Sequence, residues 1–334
     1  MDHGTSSRRD IIVIGSSAGG VPVLLDLVAA LPPRFPASIL LVQHIGAQPS
    51  VLPELLNRRG RLPASFPRAG QLLEPGTVFV APPDQHLLLV DGAVRLTRDA
   101  KENHARPAID PLFRSAAIAQ GPRVIGVILS GRLDDGTSGL QAIKACGGVA
   151  VVQDPDEAEE PSMPRSAIDN VGVDAVVPSA NLAQTLQSLV GQPAGRPVSI
   201  PADLLCEHQL STGEAPDPMQ NLDALGKPSK IVCPECSGVL WELSDTKPQR
   251  YRCHTGHAFT LNSLLQTQAS RTDTALWSAL RALQEREQLL RSAAQAHRRL
   301  QAEAEGARLE FEAEHIARHS QQLQRLITGE GELA

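Results

Sequence analysis

The chain has 334 residues, 42% of them hydrophobic, which is long enough for more than one domain with a sizeable core. Its net charge of −6 excludes a strongly basic nucleic-acid-binding surface, and no apolar run reaches the ~18 residues of a membrane span. The short polar N-terminus lacks a signal core, and the five cysteines do not form a disulfide framework. We therefore expect a cytoplasmic protein with no nucleic-acid partner and no membrane insertion.

Short apolar runs alternate with helical patterns over residues 10–190. The predicted strands are residues 11–14, 38–43, 78–81, 87–90, 124–130, 149–153 and 175–178, and the predicted helices are residues 21–30, 51–59, 109–119, 139–146 and 181–190. Apolar strands that alternate with helices form a parallel sheet covered on both faces. We therefore predict an α/β fold with a doubly wound, mainly parallel sheet, to which residues 87–96 add a hairpin around Asp91-Gly92.

The first predicted strand runs directly into a glycine-rich turn, GSSAGG at residues 15–20. Such a turn before a helix directs backbone N–H groups toward an anion or a reacting oxygen. It matches G-x-S-x-G, the pattern of a nucleophile elbow, and puts Ser17 where a serine can attack a carbonyl. A dinucleotide fingerprint would need glycine at position 17, and a P-loop would need lysine after the glycines, so nucleotide binding is the weaker alternative.

Candidate partners for a serine nucleophile follow two other predicted strands. His44 comes directly after the strand at residues 38–43, and Asp134 and Asp135 lie in the loop after the strand at residues 124–130. Ligands bind at the carboxyl ends of parallel strands, so we expect these side chains near Ser17. A Ser–His pair needs a third group to orient the imidazole, and either aspartate can supply it while the other caps a helix.

Residues 193–230 are rich in proline, glycine, serine and aspartate and predict a linker. A helical segment without proline occupies residues 261–328. Two sets of apolar residues recur there every seven positions, one on each side of a glycine at position 306: Leu276, Leu283 and Leu290, then Leu309, Ile316 and Leu323. This period predicts a helical hairpin or a coiled coil with another chain.

Between these segments, residues 231–260 carry CPEC and, 16 residues later, CHTGH. The spacing is typical of a structural zinc ribbon, in which four protein ligands leave no position open for catalysis. We predict Cys233, Cys236 and Cys253 as three of the ligands. For the fourth we prefer His257 to His254, because the turn between the two histidines lets the chain fold back. No cofactor is expected for catalysis itself.

Residues 11–190 resemble the catalytic domain of the CheB-type protein-glutamate methylesterases of bacterial chemotaxis. Six segments match the family in order: residues 14–20 (IGSSAGG), 42–44 (VQH), 80–86 (VAPPDQH), 106–113 (RPAIDPLF), 135–136 (DG) and 163–167 (MPRSA). The resemblance implies a catalytic domain at residues 8–192. The family often carries an N-terminal receiver domain, whereas this chain begins at the catalytic strand, so we expect no control by a receiver in cis.

The resemblance also implies roles for individual residues. Ser17 would be the nucleophile, His44 the general base and then acid, and Asp135 the orienting carboxylate. The backbone N–H groups of Ala18 and Arg132 would form the oxyanion hole, at positions where the family more often has threonine and methionine.

The implied reaction is hydrolysis of glutamate methyl esters on the cytoplasmic helices of chemoreceptors, with release of methanol, together with deamidation of receptor glutamine. Methylated receptors are the expected partners, with other chemosensory signalling proteins as further candidates. The alternative is a non-catalytic chemosensory adaptor that binds its partners through the C-terminal module.

Overall fold

The computed structural model describes residues 7–244 and 246–329, which divide between Leu264 and Leu265 into two compact units. The strands in the first part of the chain are β1 (Ile11–Ser16), β2 (Ser38–Gln43), β3 (Ala64–Ser65), β4 (Val78–Val80), β5 (His86–Val90), β6 (Ala93–Thr97), β7 (Val124–Ile128), β8 (Val149–Gln153) and β9 (Ala175–Val177). Strands β5 and β6 pair as the predicted hairpin. The other seven, counted over the described residues, form one parallel sheet in the order β3-β4-β2-β1-β7-β8-β9.

Helices cover both faces of this sheet. They are α1 (Gly20–Ala30), α2 (Leu52–Arg59), α3 (Ile109–Gln120), α4 (Thr137–Ala145), α5 (Ser162–Asn170) and α6 (Leu182–Leu189). Successive side chains of a strand point to opposite faces, so Ile11 and Val13 pack with α3 and α4, while Ile12 and Ile14 pack with α1 and α2. These two apolar cores confirm the doubly wound fold.

The segment for which we predicted a linker contains regular structure. Helices α7 (Ala202–Ser211) and α8 (Pro218–Leu225) lie within residues 193–230, and β10 (Gly226–Val232) begins there. Proline accounts for the difference, because it suits the first positions of a helix as well as a linker. Pro201 precedes α7, and Pro218 begins α8, where Asp217 accepts hydrogen bonds from the N–H groups of Met219 and Gln220.

A small antiparallel sheet follows these helices. Its strands are β10, β11 (Val239–Leu243), β12 (Arg250–Cys253) and β13 (Ala258–Thr260), paired in chain order. The two turns that carry the cysteines connect β10 with β11 and β12 with β13. We refer to residues 226–260 as the ribbon.

The C-terminal residues form the predicted helical hairpin, with α9 (Leu261–Arg299) and α10 (Glu303–Thr328). The chain turns at residues 300–302 and not at Gly306, which lies inside α10. A Cβ on Gly306 would come within 2.9 Å of Arg298 Cγ and 3.3 Å of the Ala294 carbonyl oxygen, so the glycine permits close packing of the two helices. Over residues 7–244 and 246–329, none of the helices combines the length and hydrophobicity that a bilayer crossing requires.

Candidate functional site

The candidate site lies at the carboxyl ends of three adjacent strands. Ser17 follows β1, His44 follows β2, and Asp135 lies in the loop after β7. The chain places β2 on one side of β1 and β7 on the other, so the loops after these strands separate at β1 and leave a crevice. This topology brings together three side chains that are far apart in the sequence.

A continuous line of hydrogen bonds joins these side chains. Ser17 Oγ lies 3.2 Å from His44 Nδ1, and His44 Nε2 lies 2.8 Å from Asp135 Oδ2. The His44 side chain is 20% exposed and that of Asp135 is 2% exposed, so the line runs from the surface into the protein. Ser16 is fully buried, whereas Ser17 is partly exposed, so of the two serines only Ser17 is open to a substrate.

Backbone groups at the start of α3 hold the Asp135 carboxylate. The N–H groups of Ile109 and Asp110 donate to Asp135 at 2.7 and 3.3 Å, and Asn103 Nδ2 donates at 3.0 Å. Burial alone would raise the pKa of Asp135, but His44 and these donors outweigh it and lower the pKa to about 2. The carboxylate is therefore charged at neutral pH and fixed opposite the imidazole.

This shift predicts how Asp135 responds to acid. Because its pKa in the folded protein lies below the ordinary value of 3.8, the stabilisation from the ionised carboxylate is complete above pH 3.8 and is lost as pH falls through about 2. In a ¹³C NMR titration, with the signal assigned by its loss in Asp135→Asn, the carboxyl should not titrate between pH 7 and 4. A midpoint near pH 4 would contradict the proposed hydrogen-bond set.

The two candidate aspartates have different partners. Asp134 is 1% exposed and accepts hydrogen bonds from Thr260 Oγ1 at 2.6 Å and Asn262 Nδ2 at 3.1 Å. Only Asp135 of the two is hydrogen-bonded to His44. Asp134 instead faces the end of the ribbon, a contact that the sequence analysis did not predict.

Asn103 is a further polar residue at the site that the sequence analysis missed. Its amide donates to both Asp110 (3.1 Å) and Asp135 (3.0 Å), and its backbone has a φ of 51°, a conformation that asparagine tolerates better than most residues. A single asparagine in a loop carries no sequence pattern. The nearby RPAIDPLF segment was the available signal, because it begins the helix that holds Asp135.

The amides predicted for the oxyanion hole lie in turns beside Ser17. Ala18 follows the serine directly, and Arg132 follows Gly131, where an added Cβ would come within 2.8 Å of Ser17 Cβ. Within the described residues, neither the Ala18 nor the Arg132 N–H donates to a protein acceptor. The Arg132 side chain is 69% exposed and pairs with Glu160.

A cavity of about 370 Å³ adjoins His44. Polar side chains of the loop at residues 98–106 line it, among them Lys101, His104 and Arg106, and Asp84 lines it as well. Arg106 donates to Asp84 through two nitrogens, at 2.9 and 2.7 Å, which fixes one wall. The cavity offers space for a chain segment beside the imidazole.

A second cluster, in the ribbon, brings together the ligand atoms of Cys233, Cys236, Cys253 and His257 within 4.8 Å of one another. The Sγ atoms of Cys236 and Cys253 are 3.7 Å apart, close to the ~3.8 Å edge of a tetrahedron with zinc–sulfur bonds of ~2.3 Å. A hydrogen bond with Cys233 is the main cause that lowers the pKa of Cys253 well below its usual range. This donor set fits a tetrahedral zinc ion, and His254 is not part of it among the described residues.

Comparison with known proteins places the first part of the chain in a family. The family model described as CheB methylesterase matches residues 12–186, just over half of the chain. A Leptospira interrogans protein named putative protein-glutamate methylesterase/protein-glutamine glutaminase is 39% identical over 181 residues, which cover 52% of this chain and 92% of that protein.

A relative from Anaeromyxobacter dehalogenans, named protein-glutamate methylesterase/protein-glutamine glutaminase 2, is 37% identical over 55% of this chain and 54% of its own length. The match thus spans about half of that relative. The crystal structure of the Thermotoga maritima CheB methylesterase catalytic domain superposes with a TM-score of 0.52 at 34% identity, covering 54% of this chain and 98% of that one. The chain belongs to the CheB methylesterase family.

Proposed function

We propose that this chain is a protein-glutamate methylesterase that hydrolyses glutamate γ-methyl esters on the cytoplasmic helices of chemoreceptors and also deamidates receptor glutamine. The observation that carries the proposal is the hydrogen-bonded line from Ser17 through His44 to Asp135 at the open edge of the sheet. Relatives named for the same two activities support it. A non-catalytic adaptor would have no need for such a line.

The first half of the reaction forms an acyl-enzyme. His44 holds its proton on Nε2, which donates to Asp135, so the lone pair on Nδ1 faces the Ser17 hydroxyl. As Ser17 Oγ bonds to the γ-carbonyl carbon, its proton passes to Nδ1, and the imidazolium that results is stabilised by the Asp135 carboxylate. Collapse of the tetrahedral intermediate transfers this proton to the leaving methoxide, which departs as methanol.

The second half restores the enzyme. The oxygen of a water molecule attacks the glutamyl ester carbon on Ser17 as the water gives a proton to His44. The same proton then passes to Ser17 Oγ as the acyl C–O bond breaks, and the receptor glutamate side chain leaves as a carboxylic acid that ionises in water. A glutamine substrate follows the same course with ammonia as the first product. Both activities thus pass through one γ-glutamyl enzyme and need no cofactor.

Backbone N–H groups would stabilise the negatively charged oxygen of the tetrahedral intermediate. The amides of Ala18 and Arg132 are the candidates, because both lie in the turns that flank Ser17 and both are free of protein acceptors among the described residues. Backbone donors survive side-chain changes, so alanine and arginine at these positions are compatible with the role. Their side chains would instead shape the entrance to the site.

The receptor helix would lie across the crevice with its methylated side chain directed at Ser17. The cavity beside His44, lined by Lys101 and by the Arg106–Asp84 ion pair, would offer polar groups to the substrate helix. Because these helices are cytoplasmic, we also place the protein in the cytoplasm. The direct test is release of labelled methanol from methyl-labelled receptors, where the absence of release by wild-type protein would reject this substrate.

The ribbon would hold one structural zinc ion through Cys233, Cys236, Cys253 and His257. Four protein ligands leave no open position for substrate, so the ion would connect the two cysteine turns and take no part in hydrolysis. The close approach of the four ligand atoms supports this assignment. The Ser17 chemistry would then need no metal ion at the reacting atoms.

Replacing one of the proposed ligands tests whether the cysteines of the cluster bind zinc, as opposed to any effect of losing a free cysteine. Elemental analysis is expected to find about one zinc per chain in wild type and almost none in Cys233→Ser, and residues 226–260 of the variant should exchange amide hydrogen faster. Cys206→Ser is the matched control, because Cys206 is also a free cysteine but lies in α7, outside the cluster. Equal zinc content in both variants would contradict the ligand assignment.

A further inference from the structure

The edge of the ribbon pairs with the loop that carries Asn103. Glu102 and Ala258 form a parallel bridge, the Asn103 N–H donates to the Ala258 carbonyl at 2.8 Å, and the Ala258 N–H donates to the Lys101 carbonyl at 3.3 Å. The loop at residues 101–103 therefore lies along β13 as an added strand segment. Its backbone position depends on a partner about 155 residues later in the chain.

The ribbon also determines which way the Asn103 amide points. The Thr260 N–H and the Ser263 hydroxyl both donate to Asn103 Oδ1 at 3.0 Å. With its oxygen held by two donors, the amide directs Nδ2 toward the carboxylates of Asp110 and Asp135. The opposite orientation would place the amide oxygen against the charged Asp135 carboxylate and the NH2 group against the Thr260 N–H, which is unfavourable. The contact at Oδ1 thus secures the hydrogen bond that Asp135 receives.

A second contact holds the residue next to Asp135. Thr260 Oγ1 donates to Asp134 at 2.6 Å and accepts from the Ser263 N–H at 3.1 Å, so both capacities of this hydroxyl are used. Asn262 Nδ2 donates to the other oxygen of Asp134 at 3.1 Å. Thr260 therefore reaches the loop of the catalytic aspartate by two routes, one through Asn103 and one through Asp134.

Buried ion pairs keep the ribbon in this position. Arg252 of β12 donates to Glu102 at 3.1 Å and to Glu207 of α7 at 2.9 Å, and Arg114 of α3 also pairs with Glu102. The side chain of Arg252 is 0% exposed and those of Arg114 and Glu102 are each 2% exposed. Separating the ribbon from α3 and α7 would leave buried charges without partners, which is costly. The contacts at Thr260 are therefore part of a fixed interface.

We propose that Thr260 and Asn103 are positioning residues through which the ribbon fixes the Asp135 carboxylate opposite His44. The proposal rests on the catalytic role of Asp135 proposed above and extends it to a segment beyond the matched family domain, which ends at residue 186. Thr260 is 1% exposed, and both residues would act through the Asp134–Asp135 loop and not on the reacting atoms. Their effect is on the orientation and charge of the acid, and hence on the reactivity of Ser17.

The test measures the reactivity of Ser17 without a receptor. A fluorophosphonate ester phosphonylates an activated serine, and peptide mapping follows the modification at Ser17 over time. Asn103→Ala should lower this rate constant about tenfold to a hundredfold, the range expected for a lost hydrogen bond to a charged group. Thr260→Val, which keeps the backbone donor and removes the hydroxyl, should lower it by about threefold to tenfold.

The matched control is Thr246→Val. Thr246 is also a threonine of the ribbon, but its hydroxyl accepts from the Arg250 N–H, and within the described residues it has no hydrogen bond to the Asp134–Asp135 loop. This variant should label Ser17 at the wild-type rate. Melting temperature and zinc content, measured on all variants, identify any that have lost the ribbon fold.

The ¹H resonance of His44 Nε2–H reports the hydrogen bond to Asp135. It therefore distinguishes a positioning role of Asn103 and Thr260 from a role in folding alone. We expect this signal to move or broaden in Asn103→Ala and Thr260→Val and to stay in place in Thr246→Val. Wild-type labelling rates and an unmoved signal in both test variants would overturn the proposal. If Asn103→Ala does not fold, Asn103→Ser, which also loses the amide donor to Asp135, takes its place, and Thr260→Val still decides the role of the Thr260 hydroxyl by the same two measurements.

Failure of the positioning role can be distinguished from failure of the proposed methylesterase function. A wild-type protein that labels at Ser17 but releases no methanol overturns the receptor substrate, while the labelling rates still decide the positioning role. Normal methanol release together with full reactivity of Asn103→Ala overturns only the positioning role.

Discussion

Replacing Ser17 with alanine is expected to lower kcat for methanol release by on the order of 10⁶, as for loss of the nucleophile in other serine hydrolases. The alanine has no oxygen to form the acyl-enzyme, and the hydrogen bond at 3.2 Å to His44 Nδ1 disappears. The residual rate would come from the remaining donors acting on bound ester. Methyl-labelled receptors allow both proteins to be compared under single-turnover conditions.

Ser16→Ala is the control for this experiment. Ser16 is 0% exposed, and its hydroxyl has no hydrogen-bond partner in the part of the chain that the structure describes. Its removal should therefore change kcat by no more than about fivefold. A large loss in Ser16→Ala together with an active Ser17→Ala would show that the wrong serine had been assigned as the nucleophile.

Asp135→Asn should have the second largest effect, a loss in kcat on the order of 10⁴ as in other triads. An asparagine amide placed opposite His44 Nε2 presents N–H to N–H, which favours the tautomer with its proton on Nδ1. That tautomer cannot accept the Ser17 proton. The loss should fall on kcat and leave KM nearly unchanged, because Asp135 is 2% exposed and does not touch the substrate.

Asp134→Asn provides the comparison at the neighbouring position. An asparagine there can still accept from Thr260 Oγ1, so we expect a loss of about tenfold or less. The two variants change the same charge in adjacent residues and differ in their contact with His44. A larger loss in Asp134→Asn than in Asp135→Asn would refute the assignment of the orienting acid.

Much of the fold could be predicted from the sequence because its strands are buried on both faces. Runs such as residues 38–43 and 149–153 were predicted with the same bounds that the structure gives, since a continuous apolar run leaves few alternatives. Helices α7 and α8 were missed because proline at positions 201 and 218 favours both a linker and a helix start. Which of these applies depends on packing that local sequence does not contain.

The residues of the site that directly follow a strand could be predicted from the sequence. Ser17 and His44 follow their strands directly, so topology alone brings them together. Asp135 was separated from Asp134 only by the family resemblance, because adjacent aspartates in one loop look equivalent until their partners are known. The contribution of Thr260 could not be predicted, since it acts on a residue 126 positions earlier through an interface between two sheets.

The measurement that tests the central claim most directly follows Ser17 modification and methanol release in the same sample. Wild-type protein is treated with increasing amounts of a fluorophosphonate, the modified fraction of Ser17 is determined by peptide mapping, and the remaining methanol release from methylated receptor is recorded. Attack by the Ser17 hydroxyl predicts that release falls linearly to zero as modification reaches one group per chain. Undiminished release from a protein fully modified at Ser17 would contradict it.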